Sequence, residues 1–336
     1  MTILVTGGCG FIGSNFIRYM LKEHPSYTLV NIDKLTYAGN LENLEGIEES
    51  NSYHFVKGDI CDRVLVASLV KDNKIDVIVN FAAESHVDRS IVGPDVFVET
   101  NIGGTNVLLE VARENSISLF IQISTDEVYG SLGETGKFSE VTPLHPNSPY
   151  AASKAAADFL VRAHYHTYGL PTIVTRCSNN YGPYQFPEKL IPLVITRVME
   201  NKKVPVYGDG HNVRDWLYVD DHCTAIDAII HKGTAGEIYV VGGNNEWKNI
   251  DIVRLILREL RKPETLISYV KDRPGHDHRY AIDASKISRD LGWAPATSFE
   301  TGMRKTLDWY LEHDSWWKRI ISGEYRNYYR SMYEQR

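Results

Sequence analysis

The sequence predicts an α/β protein, a doubly wound parallel sheet with a smaller C-terminal α/β lobe. Short apolar runs alternate with longer helical patterns through the first half of the chain, the rhythm of strands joined by crossover helices. Two of the runs, Asp76 to Phe81 and Leu119 to Ser124, are almost unbroken in apolar character, as expected of strands buried on both faces. A glycine-rich turn, Thr6-Gly-Gly-Cys-Gly-Phe-Ile-Gly13, joins the first strand directly to the first helix.

Taken in order, Thr2–Thr6 reads as a strand, Phe11–Lys22 as a helix, Thr28–Ile32 and Tyr53–Lys57 as strands, and Val64–Lys71 as a helix. A helix is expected from Pro94 to Asn115 between the two apolar strands, and another from Tyr150 to Tyr168 before a strand at Thr172–Arg176. Beyond Ser178 the rhythm becomes irregular. Residues 179–187 and Tyr207–Gly210 are rich in turn formers, and helical patterns return at Val219–Ile230, Ile250–Leu260 and Phe299–His313. This divides the chain into a core domain over 1–178 and a lobe over 179–336, with a strand near Gly236–Val241 placed to rejoin the large sheet.

A chain of 336 residues with 43% hydrophobic and 24% charged residues is of ordinary globular composition and can bury a sizeable core. A net charge of −7 argues against nucleic acid or an acidic membrane as the main partner. No run of 18 apolar residues occurs, and Met1 leads straight into an apolar strand rather than a basic-then-apolar leader. The four cysteines, Cys9, Cys61, Cys177 and Cys223, are far apart and form no metal-ligand spacing. No metal is expected, and a reducing cytoplasm is the expected location.

Gly7, Gly10 and Gly13 allow a tight turn, close backbone approach to a pyrophosphate and tight helix–strand packing, the Rossmann fingerprint. The helix that follows offers free N–H groups and a partial positive charge to phosphates. Asp33 ends the second strand about 20 residues past Gly13, where a carboxylate accepts from the ribose hydroxyls and repels a 2′-phosphate. NAD is therefore the expected cofactor, although the neighbouring Lys34 weakens the discrimination against NADP. Asp59 is placed to meet the adenine amino group, or to act as a helix cap.

Tyr150-Ala-Ala-Ser-Lys154 puts a phenol and an ammonium on one helix face. Lysine and a cationic nicotinamide both favour phenolate, and lowering a pKa near 10 by about three units takes roughly 4 kcal/mol. Ser124-Thr-Asp-Glu-Val-Tyr-Gly130 follows an apolar strand, at the sheet edge where ligands bind in open α/β folds.

With these motifs, with residues 80–90 (Asn-Phe-Ala-Ala-Glu-Ser-His-Val-Asp-Arg-Ser) and with Arg176-Cys-Ser-Asn-Asn-Tyr-Gly-Pro183, the chain resembles the extended short-chain dehydrogenase/reductase family of nucleotide-sugar enzymes over nearly its whole length. The resemblance implies a cofactor site of Gly7, Gly10, Phe11, Ile12, Gly13, Asp33, Lys34, Leu35, Thr36, Asp59, Ile60, Phe81, Ala82, Ala83, Ser85, Thr100, Tyr150, Lys154 and Asn180. It implies substrate contacts from Ser85, Thr125, Asn179, Lys189, Leu190, Pro205, Tyr207, Arg214, Asn249, Arg273 and His276.

Thr125, Asp126, Glu127, Tyr150 and Lys154 form the implied catalytic set. The Thr-Asp-Glu run resembles the branch that removes water from a dTDP-hexose, supported by Arg273-Pro-Gly-His-Asp-His-Arg-Tyr-Ala-Ile-Asp283; a UDP-hexose dehydratase or a 4-epimerase is the alternative. The implied chemistry is oxidation at C4, removal of the C5 proton by Glu127, protonation of the departing C6 oxygen by Asp126, and return of hydride to C6. An epimerase would leave the two carboxyls without a task. A homodimer is expected through the helices near Pro94–Asn115 and Tyr150–Tyr168, on Val107, Leu108, Phe159 and Leu160.

Overall fold

The computed structural model describes residues 1–322; positions 323–336, the end of the expected lobe, lie outside the described residues. Strand β1 (Thr2–Thr6) feeds the glycine turn and helix α1 (Phe11–Glu23). β2 (Thr28–Asp33), β3 (Tyr53–Lys57), α2 (Arg63–Asp72) and β4 (Val77–Asn80) follow, then the short α3 (Val87–Val92) and α4 (Asp95–Phe97). A π-helical segment, Val98–Gly104, leads into α5 (Thr105–Glu114), β5 (Leu119–Thr125), α6 (Pro149–Tyr168) and β6 (Thr172–Cys177). The boundaries of α6 are written in its sequence. The Ser148 hydroxyl caps its start by accepting from Ala151 N at 3.1 Å, Pro149 occupies its first turn, and Gly169 ends it at φ +70°.

The second half contributes β7 (Asn179–Tyr181), α7 (Leu190–Met199), β8 (Val204–Tyr207), β9 (Val213–Tyr218), α8 (Val219–Lys232), β10 (Ile238–Val241) and β11 (Glu246–Lys248). It continues through α9 (Asn249–Glu259), β12 (Ile267–Val270), α10 (Ser285–Leu291), α11 (Phe299–Glu312) and α12 (Asp314–Ser322). The main sheet has seven strands in the order β10-β6-β5-β4-β1-β2-β3, all parallel. Segment 238–241 does rejoin it, pairing with β6. Three-stranded β11-β9-β7 and two-stranded β12-β8 sheets build the lobe.

Both faces of the main sheet are apolar. Ile3 and Val5 pack with Phe16, Ile17 and Met20 of α1 and Ile226 and Ile229 of α8, while Leu4 turns to Val66, Leu108, Phe120 and Val161 on the other side. This two-sided burial is why the central strands read as continuous apolar runs. The lobe has its own core, rich in aromatics: Tyr181, Trp216, Tyr218, Phe299, Tyr310, Trp316 and Trp317. No described helix is long and apolar enough to cross a membrane.

One expected element differs. The helix predicted over Pro94–Asn115 is three pieces, because the π-helical turn swings Asn101 inward to bond the backbone of Glu84 and the Ser153 hydroxyl. Such turns insert one residue per turn and re-aim a side chain.

Candidate active site

Strand order reverses between β1 and β4, which opens a crevice at the carboxyl ends of the strands. A cavity of about 290 Å³ follows it from the Gly7–Gly13 turn to Tyr150 and Asn180. Gly7 has φ +68°, and a Cβ there would lie 2.7 Å from the Ala82 backbone; one on Gly13 would meet Gly7 O at 2.5 Å. Gly10 caps α1 without a side-chain bond, and the first turn carries no acidic residue. Its orphan N–H groups therefore remain available to an anion.

Asp33 is 8% exposed, accepting from Cys9 N (2.9 Å) on one oxygen and from Leu35 N (2.8 Å) on the other. Burial raises its pKa, and the two backbone donors hold it back. Glycine cradle, uncapped helix and carboxylate together fit a dinucleotide. Lys34 and Asp59 both line the cavity, as expected, and pair with each other at 2.6 Å, so the lysine charge is partly met by that carboxylate. Burial raises the Asp59 pKa, but the bond and charge of Lys34 together with the bonds from Cys61 outweigh it and leave the carboxyl below its usual value. Leu35, by contrast, does not line the cavity. It sits at φ +56° and packs against the core, so only its N–H serves the site.

The remaining expected cofactor residues, Phe11, Ile12, Thr36, Ile60, Phe81, Ala82, Ala83, Ser85 and Thr100, all face the cavity, as do Tyr150 and Lys154. β5 delivers Thr125 to its far end, where the hydroxyl accepts from Glu127 N (3.2 Å) and donates toward Asp126 Oδ1 (3.4 Å). Asp126 is 1% exposed and does not itself line the cavity; its Oδ2 has no hydrogen-bond partner among the described residues. Its pKa is driven well above normal by burial, then by the charges of Glu127 and Asp215, against Arg214 and Thr125. Burial also raises Glu127, but Arg273, Lys189 and Arg214 all oppose the shift. The two neighbours therefore stand in different fields.

Tyr150 departs from the sequence argument. Burial, with the charges of Glu127, Cys177 and Asp126, drives its pKa well above 10, opposed by a hydrogen bond with Thr125. Lys154 is buried and its Nζ donates to Ile123 O at 2.6 Å, its own pKa lowered by burial. The lysine is anchored to β5 and does not by itself make a phenolate.

A second cavity, of about 160 Å³, adjoins the first, and Glu127, Asn179, Asn180 and Lys189 line both. Every residue expected at the nucleotide end of a substrate faces it: Leu190, Pro205, Tyr207, Arg214, Asn249, Arg273 and His276. Arg214 is held by Asp277 O (2.8 Å) and lies 4.2 Å from the centre of the Tyr280 ring; Arg273 pairs with Asp88 at 3.2 Å. Lys189 donates to Ser85 O at 2.8 Å. Three cations in one buried cleft have the character of a site for a polyanion.

Several positioning residues escaped the sequence reading. Asn101 joins the Glu84 backbone to Ser153, whose hydroxyl in turn donates to Tyr150 O at 2.7 Å. His222, fully buried on α8, bonds Asn180 Oδ1 at 2.9 Å and is neutral, its pKa lowered to about 3 by burial. Asp88 orients both Arg273 and Tyr207. It lies inside the quoted 80–90 motif, so a signal existed; for Asn101 and His222 none did, because their partners are distant in sequence.

A parallel sheet with a dinucleotide cradle and a tyrosine–lysine helix beside a Thr-Asp-Glu turn defines a cofactor-dependent enzyme of the extended short-chain dehydrogenase/reductase class. The sequence model of the family described as GDP-mannose 4,6 dehydratase matches residues 4–306. A dTDP-glucose 4,6-dehydratase of Xanthomonas campestris is 54% identical over 97% of both chains. Among solved structures, that of a dTDP-glucose 4,6-dehydratase from Bacillus anthracis in complex with NAD has a TM-score of 0.90 at 52% identity, covering 95% of this chain and 99% of that one. One from Streptomyces venezuelae, also with NAD, has a TM-score of 0.93 at 48% identity, covering 95% and 100%. The chain belongs to this family of nucleotide-sugar 4,6-dehydratases.

Proposed function

We propose that the chain is a hydro-lyase converting dTDP-glucose to dTDP-4-keto-6-deoxyglucose and water, with NAD as resident cofactor. The carrying observation is the contrast between Glu127, which lines both cavities, and its neighbour Asp126, which is buried beside it and lines neither. A dehydration needs one carboxyl that holds a proton and one that can release it, and environments that push two carboxyls apart divide such labour. The relatives, dTDP-glucose 4,6-dehydratases by name, favour the same reading.

The glycine cradle, the start of α1 and Asp33 hold the cofactor, and Phe81, Ala82, Ala83, Ser85, Thr100 and Asn180 line its path. NAD, when bound, supplies a reversible hydride acceptor and a positive charge. Tyr150 takes the C4 hydroxyl proton, with Thr125 fixing the oxygen and Lys154 holding the helix against β5. Glu127 removes the C5 proton made acidic by the C4 ketone. Asp126, whose buried carboxyl favours the protonated form, gives its proton to the departing C6 oxygen, and Glu127 returns its proton to C5 as C6 receives the hydride taken from C4. Lys189, Arg214, Arg273, His276 and Asn249 hold the diphosphate and nucleoside, and Pro205, Tyr207 and Leu190 flank the base.

We further assign the chain a cytoplasmic setting, consistent with four free cysteines, a division near 178/179 with β10 returning to the sheet, and a homodimer. Leu108, expected at the dimer face, is core instead, whereas Phe159 is 59% exposed alongside Val92, Val98 and Tyr168. Incubating the purified chain with dTDP-glucose and assaying the 4-keto-6-deoxy sugar tests the reading. Release of the C4 epimer with no keto-sugar would overturn it.

A further inference from the structure

At the edge of the sheet opposite the catalytic cavities, the C-terminal ends of α1 and α8 come together. His24, the residue that ends α1, places Nε2 2.9 Å from Asp227 Oδ1, and His231 Nδ1 lies 3.0 Å from the same oxygen. The three ligand atoms lie within 4.8 Å of one another on a partly exposed surface. Around a tetrahedral zinc ion with bonds near 2.0–2.1 Å, ligand atoms stand about 3.3 Å apart. The cluster thus has the right ligand types at close to the required spacing.

Three further features suit a cation. The Tyr27 hydroxyl is 2.8 Å from His231 Nε2, while Nδ1 donates to the Asp227 carbonyl at 2.9 Å; an ion that takes Nδ1 displaces this proton, and on Nε2 the proton has Tyr27 as its acceptor. Tyr19 donates to Asp227 Oδ2 at 3.0 Å, orienting the carboxylate so that Oδ1 faces the histidines. Two helix C-termini converge there, each carrying partial negative charge. The imidazoles of His24 and His231 stack with centroids 5.0 Å apart and 26° between planes, so both must turn about their soft χ2 torsion to aim at one ion.

From this arrangement we propose that His24, Asp227 and His231 form a binding site for a divalent transition-metal ion, Zn²⁺ by its ligand set, that staples α1 to α8. The fourth position is open to water on the exposed side. The site is remote from the Asp126–Glu127 centre, so its role is structural: α1 carries the glycine cradle at its other end, and α8 carries His222 and Asn180's bond. The pairing arises from residues 24 and 227–231, which no spacing in the sequence brings together.

The test uses the full chain without an affinity tag, stripped with chelator, and titrated with Zn²⁺ alone by calorimetry and thermal melting. One Zn²⁺ per chain and a higher melting temperature are expected, with turnover of the sugar nucleotide unchanged. The double variant His24→Asn/His231→Asn should lose both effects while keeping wild-type turnover, which shows that it folds. Tyr27→Phe should weaken Zn²⁺ binding about tenfold, as loss of an outer-sphere partner does. If the wild type takes up no Zn²⁺, or the double variant binds as tightly as the wild type, the assignment fails.

Discussion

At the scale of single residues, the site is governed by what burial does to charge. Asp126 is buried, and its carboxyl pKa is driven well above the usual range because burial and two neighbouring carboxyls act in the same direction. In the unfolded chain it ionises near pH 3.9. The folded form therefore holds one more proton above that pH, and stability falls as pH rises toward the raised folded value, by about 1.4 kcal/mol per pH unit. Asp126→Asn removes this dependence. Its melting temperature is expected to exceed that of the wild type at pH 8, with the gain shrinking toward pH 4. Dehydration should meanwhile fall by about 10²–10⁴-fold, the usual worth of a general acid, while the C4 proton transfer by Tyr150 survives. A single-turnover assay of keto-sugar alongside cofactor absorbance separates the two steps. Dehydration within a few-fold of wild type would remove Asp126 from the mechanism.

At the scale of elements, the cofactor cradle depends on a close backbone approach and the tyrosine helix on side-chain anchors. Gly7 approaches the chain after β4 so nearly that a methyl group has no room, and its φ of +68° adds strain for any other residue. Gly7→Ala is expected to lose cofactor retention, read as nucleotide released on denaturing the purified protein, more than it loses stability. The π-helical turn is held to α6 through Asn101 and Ser153. Asn101→Leu leaves the Glu84 N–H and C=O buried without partners, at a cost of about 1–3 kcal/mol each. It should lower the urea midpoint and slow turnover, since the loop after β4 and the Tyr150 backbone lose their common anchor. An unchanged urea midpoint would show that other contacts hold this joint. The glycine turn was plain in the sequence; the π-helical turn was not, because helical periodicity carries no mark of the one inserted residue.

For the whole molecule, pH acts through the buried histidines. His222 and His276 have pKa values lowered by burial to about 3 and about 4, against 6.5 in an unfolded chain. Both remain neutral in the fold while the unfolded chain takes up protons, so their contribution is intact above pH 6.5 and is lost as pH falls toward 4 and 3. Each removes up to about 1.4 kcal/mol per pH unit in that window. Asp126 acts in the opposite sense, so the measurement is a difference: denaturant midpoints of wild type and His222→Asn at pH 7 and pH 5 should draw closer as pH falls. Assembly is the second property at this scale. Light scattering at micromolar concentration should give twice the chain mass, and Phe159→Glu, on an exposed face, should halve it without disturbing the core.

The order of strands and helices, the glycine cradle with Asp33, and the Thr125–Glu127 turn beside Tyr150 and Lys154 were legible from the chain alone. They are local: periodicity, glycine spacing and a helix face depend on residues close in sequence. Tertiary structure decided the rest. The pairing of Lys34 with Asp59, the core position of Leu108, the anchoring of Lys154 on Ile123 and the meeting of His24 with Asp227 and His231 all join parts of the chain that no short-range pattern connects. The protonation of Asp126, Glu127 and Tyr150 belongs to that second group for the same reason. A charge is set by how much water the fold removes and which groups it brings near, and neither quantity is written in the residue's own neighbourhood.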